Sequence, residues 1–132
     1  MTPNPTTPEP YFQFVDDPAA YRNPAAMVIR VPRKCRGKEK LLGAIAKPLR
    51  FPRYFGWNWD ALDECLRDLS WLRGVKKIVI VHDGLPFTER EEQLAIYLQV
   101  LVDAMSLRRA EPEGLHIEVV FPKSVEAIVG RS

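Results

Sequence analysis

The chain has little of what cofactor or metal chemistry requires. Only two cysteines and two histidines occur in 132 residues. Cys35 and Cys65 lack the paired spacing of a zinc site or a redox motif, so reduced, buried thiols are expected. The seven glycines are scattered, at 37, 43, 56, 74, 84, 114 and 130. No Gly-rich loop therefore exists to cradle a phosphate, which argues against nucleotide binding. No apolar run approaches the ~18 residues of a membrane helix. The N-terminus shows no basic segment followed by an apolar stretch, and a cytoplasmic location is the expectation. Excess charge of one sign is missing too: 19 Lys and Arg oppose 17 Asp and Glu, for a net +2. Whole-molecule charge selects neither nucleic acid nor a membrane, and any charged partner must be chosen by local charge. No cofactor and no small-molecule substrate is expected.

With 46% apolar and 27% charged residues, the chain suits one globular domain. Six of its twelve prolines precede residue 25, and no glycine precedes Gly37, so residues 1–26 cannot be a regular helix. These residues are expected to form a Pro-rich arm with a mobile tail over 1–10, and residues 27–132 the domain proper. Tyr11, Phe12, Phe14 and Val15, alternating about Gln13, fit either a short strand or a docked arm. Residues 27–31 predict a strand that Pro32 stops. Leu41, Leu42, Ile45 and Leu49 at helical spacing predict a helix from Lys38 that ends near Ala46, ahead of Pro48. Asn58 is a good N-cap for a second helix reaching about Leu69.

Ile78, Val79, Ile80 and Val81 form the unbroken apolar run of a central strand covered on both faces, over residues 75–81. Thr88 and Glu91 make a capping box for a long helix through about Leu107. Its apolar stripe is Leu94, Tyr97, Leu98, Leu101 and Met105. Residues 115–121 are the last strand, ended by Pro122. This order predicts an α/β fold with a small three-stranded parallel sheet packed with helices.

Residues 54–66, YFGWNWDALDECL, carry the strongest functional signal. On the helix after Asn58, Leu62, Cys65, Leu66 and Leu69 share one face and form a core stripe. On the opposite face Asp60, Glu64 and Asp68 recur every fourth residue, where each like-charged pair costs about 0.2–0.5 kcal/mol. Residues 58–70 hold four carboxylates and one Arg, a local charge of −3. Folding alone accounts for two of the four: the helix dipole stabilises Asp60 in the first turn, and Asp63 can pair with Arg67. Glu64 and Asp68 are left to a solvated acidic face or to a partner. The rings of Tyr54, Phe55, Trp57 and Trp59 cannot all point inward. Phe55 and Trp59 are the core candidates, as a staple across the helix start, leaving Tyr54 and Trp57 partly exposed. Such a cluster is either a packed loop or a hot spot for a protein partner.

Tyr54, Gly56, Asn58, Asp60-Ala61-Leu62 and Cys65-Leu66 resemble the signature of the barstar family, intracellular protein inhibitors of microbial ribonucleases. A coarser similarity in element order and apolar pattern spans about residues 27–122. The resemblance implies a barstar-like fold, no enzymatic activity, and an antitoxin or immunity role toward a ribonuclease of extracellular or toxin type. In that family the second helix and its preceding loop plug the ribonuclease active site, with carboxylates where RNA phosphates would lie. The resemblance makes Asp60 a principal acidic contact and Glu64 the central plug, with Tyr54, Gly56 and Asn58 shaping the contact loop and Trp57 beside them. Asp103, late in the long helix, aligns with a further acidic contact. Glu64 stands where the family usually has Asp. Asp63 stands where the best-known member has an aromatic contact, and the net charge is positive where that member is acidic. The alternative is a barstar-like interaction module with a non-ribonuclease partner.

Two other features compete for attention. Arg30, Arg33, Lys34, Arg36, Lys38 and Lys40 are opposed only by Glu39, a pattern of a solvated surface or of a second, nucleic-acid-facing patch. His82 and Asp83 follow the central strand, where α/β proteins often place catalytic groups. An enzyme would need Asp83 or Asp60 to orient His82, yet adjacent residues seldom face each other as a dyad requires, and His116 lies on another strand.

Overall fold

The computed structural model describes residues 11–33, 35, 37–87 and 90–130. The expected tail over 1–10, the cations Lys34 and Arg36, and Thr88 of the capping box lie outside the described residues. In chain order the elements are β1 (Phe12–Val15), β2 (Met27–Val31), α1 (Lys38–Ala46), α2 (Trp59–Asp68), β3 (Lys77–His82), α3 (Glu91–Arg109), β4 (His116–Pro122) and the short α4 (Glu126–Val129).

The strands are all parallel and stand in the order β1-β4-β3-β2, with Ile29 opposite Ile80 and Ile80 opposite Val119. The sheet thus has four strands rather than the three expected. The extra one is β1, and its presence follows from the burial of β4. Val119 and Val120 are both fully buried, on opposite faces, so an uncovered β4 edge would leave a row of unpaired N–H and C=O groups. FQFV covers it with the alternation a strand needs. Phe12 meets Phe121 edge-on at 5.4 Å. On the other face Gln13 donates to Glu118 Oε1 at 2.7 Å. Just ahead of β1, Tyr11 hydrogen-bonds Ser106 at 2.8 Å and lies 4.3 Å under the Arg109 guanidinium.

Alternation also sorts β3 between two cores. Ile78 and Ile80 join Leu41, Leu42 and Ile45 of α1, Leu62 and Leu66 of α2, and Tyr97 and Leu101 of α3 in the main core. Val79 and Val81 face the other way, with Val120, beneath Val15, Tyr21, Ala26 and Val28. Because β1 and β2 are opposite edges, the segment joining them must cross the sheet, and it is this segment that supplies Tyr21 and Ala26. The unbroken apolar run of β3 is therefore covered on both faces, as its composition requires.

His82 is the buried polar residue among these strands. A carbonyl can only accept, so Nδ1 donates to Val120 O at 3.0 Å, which leaves Nε2 to accept the Tyr97 hydroxyl at 2.6 Å. The ring is neutral with one defined tautomer. Burial lowers its pKa to about 4, and the same burial pushes the Tyr97 hydroxyl well above its usual range.

α1 ends at Ala46 as Pro48 requires, and the chain turns back through Arg50 in the left-handed region (φ 54°), with Phe51 N–H bonded to Ala46 O at 3.0 Å. α3 begins at Glu91, with Arg90 at the N-cap position and no side-chain cap bond; Glu91 and Glu92 occupy its first turn.

Candidate functional site

Residues 47–58 connect α1 to α2, and aromatic packing fixes the loop. Phe55 is buried against Phe51 at 5.0 Å and contacts Trp57 at 5.2 Å, while Phe51 meets Trp71 edge-on at 5.9 Å. Trp71 is tied in turn to Leu49 O through its ring N–H at 2.8 Å. Trp59 packs instead on Phe87 and Tyr97, and its ring N–H donates to Gln93 at 2.9 Å. Phe55 and Trp59 thus anchor opposite ends of the segment rather than stapling to each other. Two rings are left outside: Tyr54 is 74% exposed and Trp57 45%. Trp57 lies across Gly43 of α1, where a Cβ would come 3.6 Å from its ring, so a side chain larger than Ala would displace it.

α2 is held at both ends. At its start Asn58, extended at φ −141°, accepts the Ala61 N–H at 2.8 Å and donates to Gly56 O at 3.3 Å, which couples the cap to the loop. At its end Arg108 of α3 reaches under the last turn, its Nη2 lying 3.0, 2.8 and 3.1 Å from the carbonyl oxygens of Leu66, Arg67 and Asp68. A cation there satisfies orphan carbonyls and opposes the helix dipole. Leu62, Cys65 and Leu66 are buried beneath, and burial, with Asp68 and Glu64 nearby, raises the Cys65 thiol pKa.

The acidic face is not uniform. Asp63 is half-buried and pairs with Arg67 at 3.4 Å. Asp68 accepts the Ser70 N–H at 3.2 Å. Asp60 and Glu64 are exposed and have no ion-pair partner among the described residues. Asp60 and Glu64 stand one turn apart on the helix that leads out of the Tyr54–Trp57 turn. Gly56 is exposed in that turn. Asp103 is elsewhere, on α3, half-buried and accepting from Gln99 one turn back at 2.8 Å.

The chain matches the family of Barstar (barnase inhibitor) over residues 26–120. It belongs to that family. No curated protein and no solved structure matches it. The matched stretch takes in α1, the aromatic loop, α2 and most of β4, and leaves out β1. The barstar family is one of inhibitors.

The competing features separate from this site. Arg30 turns to the back of the sheet, donating to Pro18 O at 2.9 Å and Tyr21 O at 2.6 Å and lying 3.9 Å from Asp83. It borders a cleft of about 620 Å³ with Tyr21, Arg22 and Val28. The basic run over 30–40 is therefore not one patch. His82 engages both ring nitrogens inside the core, and neither Asp83 nor Asp60 orients it. No helix among the described residues is long and apolar enough to cross a membrane. Sequence reasoning missed two sets of cations: Arg108 under α2, and Lys47, Arg50 and Arg53 around Trp57. The second set was visible as three cations at intervals of three beside a ring-rich loop; the first required the packing of α3 on α2.

Proposed function

We propose that this barstar-family chain inhibits a microbial ribonuclease by seating α2 and the Tyr54–Asn58 turn in its basic active site. The observation that carries the reading is the pair Asp60 and Glu64, exposed and unpaired one turn apart, beside the exposed rings of Tyr54 and Trp57. A carboxylate pair of this kind suits the place of RNA phosphates among Arg, Lys and His, because charge-assisted hydrogen bonds there would replace those made to substrate. Glu64 acts as the central plug and Asp60 as the principal flanking contact. Tyr54 and Trp57 supply apolar anchoring, Gly56 and Asn58 hold the turn, and Asp63 and Asp103 extend the acidic surface. The role is that of a cytoplasmic antitoxin toward an extracellular or toxin-type ribonuclease. Its association should slow as salt rises, since opposite charges are screened within about 8 Å at 0.15 M. Barnase with its barstar is the type case for such steering, so this salt dependence is lent by the family rather than deduced from the chain.

The test is inhibition of RNA hydrolysis by a panel of purified small basic microbial ribonucleases. Glu64→Gln and Asp60→Asn should each weaken binding about 10- to 100-fold, the range for losing a charged hydrogen bond, with an unaltered circular dichroism spectrum. Equal inhibition by both variants and the parent would refute the mechanism, and a parent that inhibits no ribonuclease would assign the chain to a partner of another kind.

A further inference from the structure

Around the Trp57 ring, two residues ahead of α2 and its acidic face, the surface is basic. A groove of about 280 Å³ runs between the end of α1 and the aromatic loop, floored by Phe51, Phe55 and Trp57 and bordered by Lys47, Arg50 and Arg53. It adjoins a second concavity where Lys40 and Lys47 meet Glu39 and the same Trp57. Lys40, Lys47, Arg50 and Arg53 are exposed and form no ion pair among the described residues. Four free cations against the single Glu39 thus stand within reach of one ring, and that ring also belongs to the proposed inhibitory surface.

A standard protein interface covers about 800 Å² and roughly 20–30 residues on each side. The turn at Tyr54–Asn58 with Asp60 and Glu64 is far smaller than that. A partner seated on α2 must therefore extend over its neighbours, and Trp57 leads directly into the cationic groove. A ribonuclease uniformly basic around its active site would bring like charges together there, which opposes association. Resting on the inhibitory reading above, we infer that the partner is dipolar across this surface. Its cleft is basic where it receives Asp60 and Glu64, and the wall of that cleft carries carboxylates that enter the groove beside Trp57. The groove suits such an occupant: guanidinium groups grip carboxylates in paired hydrogen bonds, and the aromatic floor receives the aliphatic stem of Asp or Glu. Single-stranded RNA also favours cations beside rings, but a polyanion gains nothing from the unpaired Asp60 and Glu64 of the helix that follows Trp57. A protein bearing both signs meets both halves of the surface.

The probe is whichever ribonuclease of the panel the unaltered chain inhibits most tightly. The variant Lys47→Glu with Arg53→Glu spares Arg50, whose backbone is left-handed; Arg50→Asn is a separate, milder variant suited to that backbone. All three positions are exposed, so folding should persist, which near-UV circular dichroism checks. The double reversal is expected to weaken binding tenfold or more, and Arg50→Asn a few-fold. Replacing by Lys the partner carboxylate that faces Lys47 should restore affinity to the reversed chain in a double-mutant cycle. Ribonuclease binding sensitive to Glu64→Gln but unchanged or tightened by the double reversal overturns this inference and leaves the inhibitory reading standing. If no ribonuclease is inhibited, that reading falls and this inference with it. A labelled single-stranded RNA that binds the parent and is released by the double reversal, with ribonuclease affinity unaltered, makes the groove a nucleic-acid site and overturns the inference.

Discussion

Arg50 and Trp57 bracket the aromatic loop in left-handed backbone, at φ 54° and φ 53°, although neither is glycine. For a residue with a Cβ that conformation costs about 1–2 kcal/mol, and it is sustained here by the rings packed behind it. At Trp57 the cost is repaid in position, because the ring lies over Gly43 of α1 and lines the basic groove. Asn58 performs the opposite service at no strain, in extended backbone, by joining the turn to α2. Asn58→Ala should lower stability by about 1 kcal/mol, read from the urea midpoint, while Asn58→Asp should retain most of it because an aspartate caps equally well. The cap was legible in the sequence, since Asn directly before an amphipathic run has few other uses. The left-handed residues were not: no local preference of Arg or Trp calls for that conformation, and only the packing behind them selects it.

α2 owes its orientation to groups that lie outside it. Its buried face alone would allow the helix to slide along the core, but Trp59 bonded to Gln93 fixes one end and Arg108 beneath Leu66, Arg67 and Asp68 fixes the other. The guanidinium is partly desolvated, which lowers its pKa, with Glu111 and Asp68 acting the other way. Arg108→Met, which keeps the stem and removes the donors, should cost about 1–3 kcal/mol. Amide hydrogen exchange should accelerate over residues 66–69, with residues 59–62 little affected. Exchange unchanged at the end of the helix would show that Leu69, whose N–H bonds Cys65 O at 3.1 Å, closes the helix without it. At this scale the helix boundaries were readable from Asn58 and Pro48, and the acidic face from its spacing of four. The Asp63–Arg67 pair was readable from the same spacing, whereas the hold of Arg108 on the last turn was not, because its partners lie about 40 residues away in sequence.

The whole molecule is linked across β3, β4 and α3 by the neutral His82, which joins Val120 to Tyr97. With a folded pKa of about 4 against an ordinary 6.5, the unfolded chain binds the proton first as pH falls. Stability therefore holds above about pH 6.5 and declines as pH falls toward 4, by about 2 kcal/mol between pH 7 and pH 5 from this one group. Urea titrations at those two pH values measure it, and an unchanged midpoint would show the ring to be more accessible to protons than its burial implies. The fourth strand also belongs to this scale. A central, two-faced β4 needs a partner at each edge, and FQFV is too short to demand strand structure from its own alternation.

Neighbours within a few turns of chain were enough to set the parallel α/β order, the two-faced central strand, the start and end of α2 and the ring-rich, acid-spaced segment, and all of these could be read from residue order. Tertiary packing was needed to make the arm a fourth strand, to bring Arg108 beneath the end of α2, and to lay Trp57 over Gly43 of α1. Those outcomes depend on which distant groups meet, and hydrogen bonds and ion pairs between elements are formed by packing, not by periodicity.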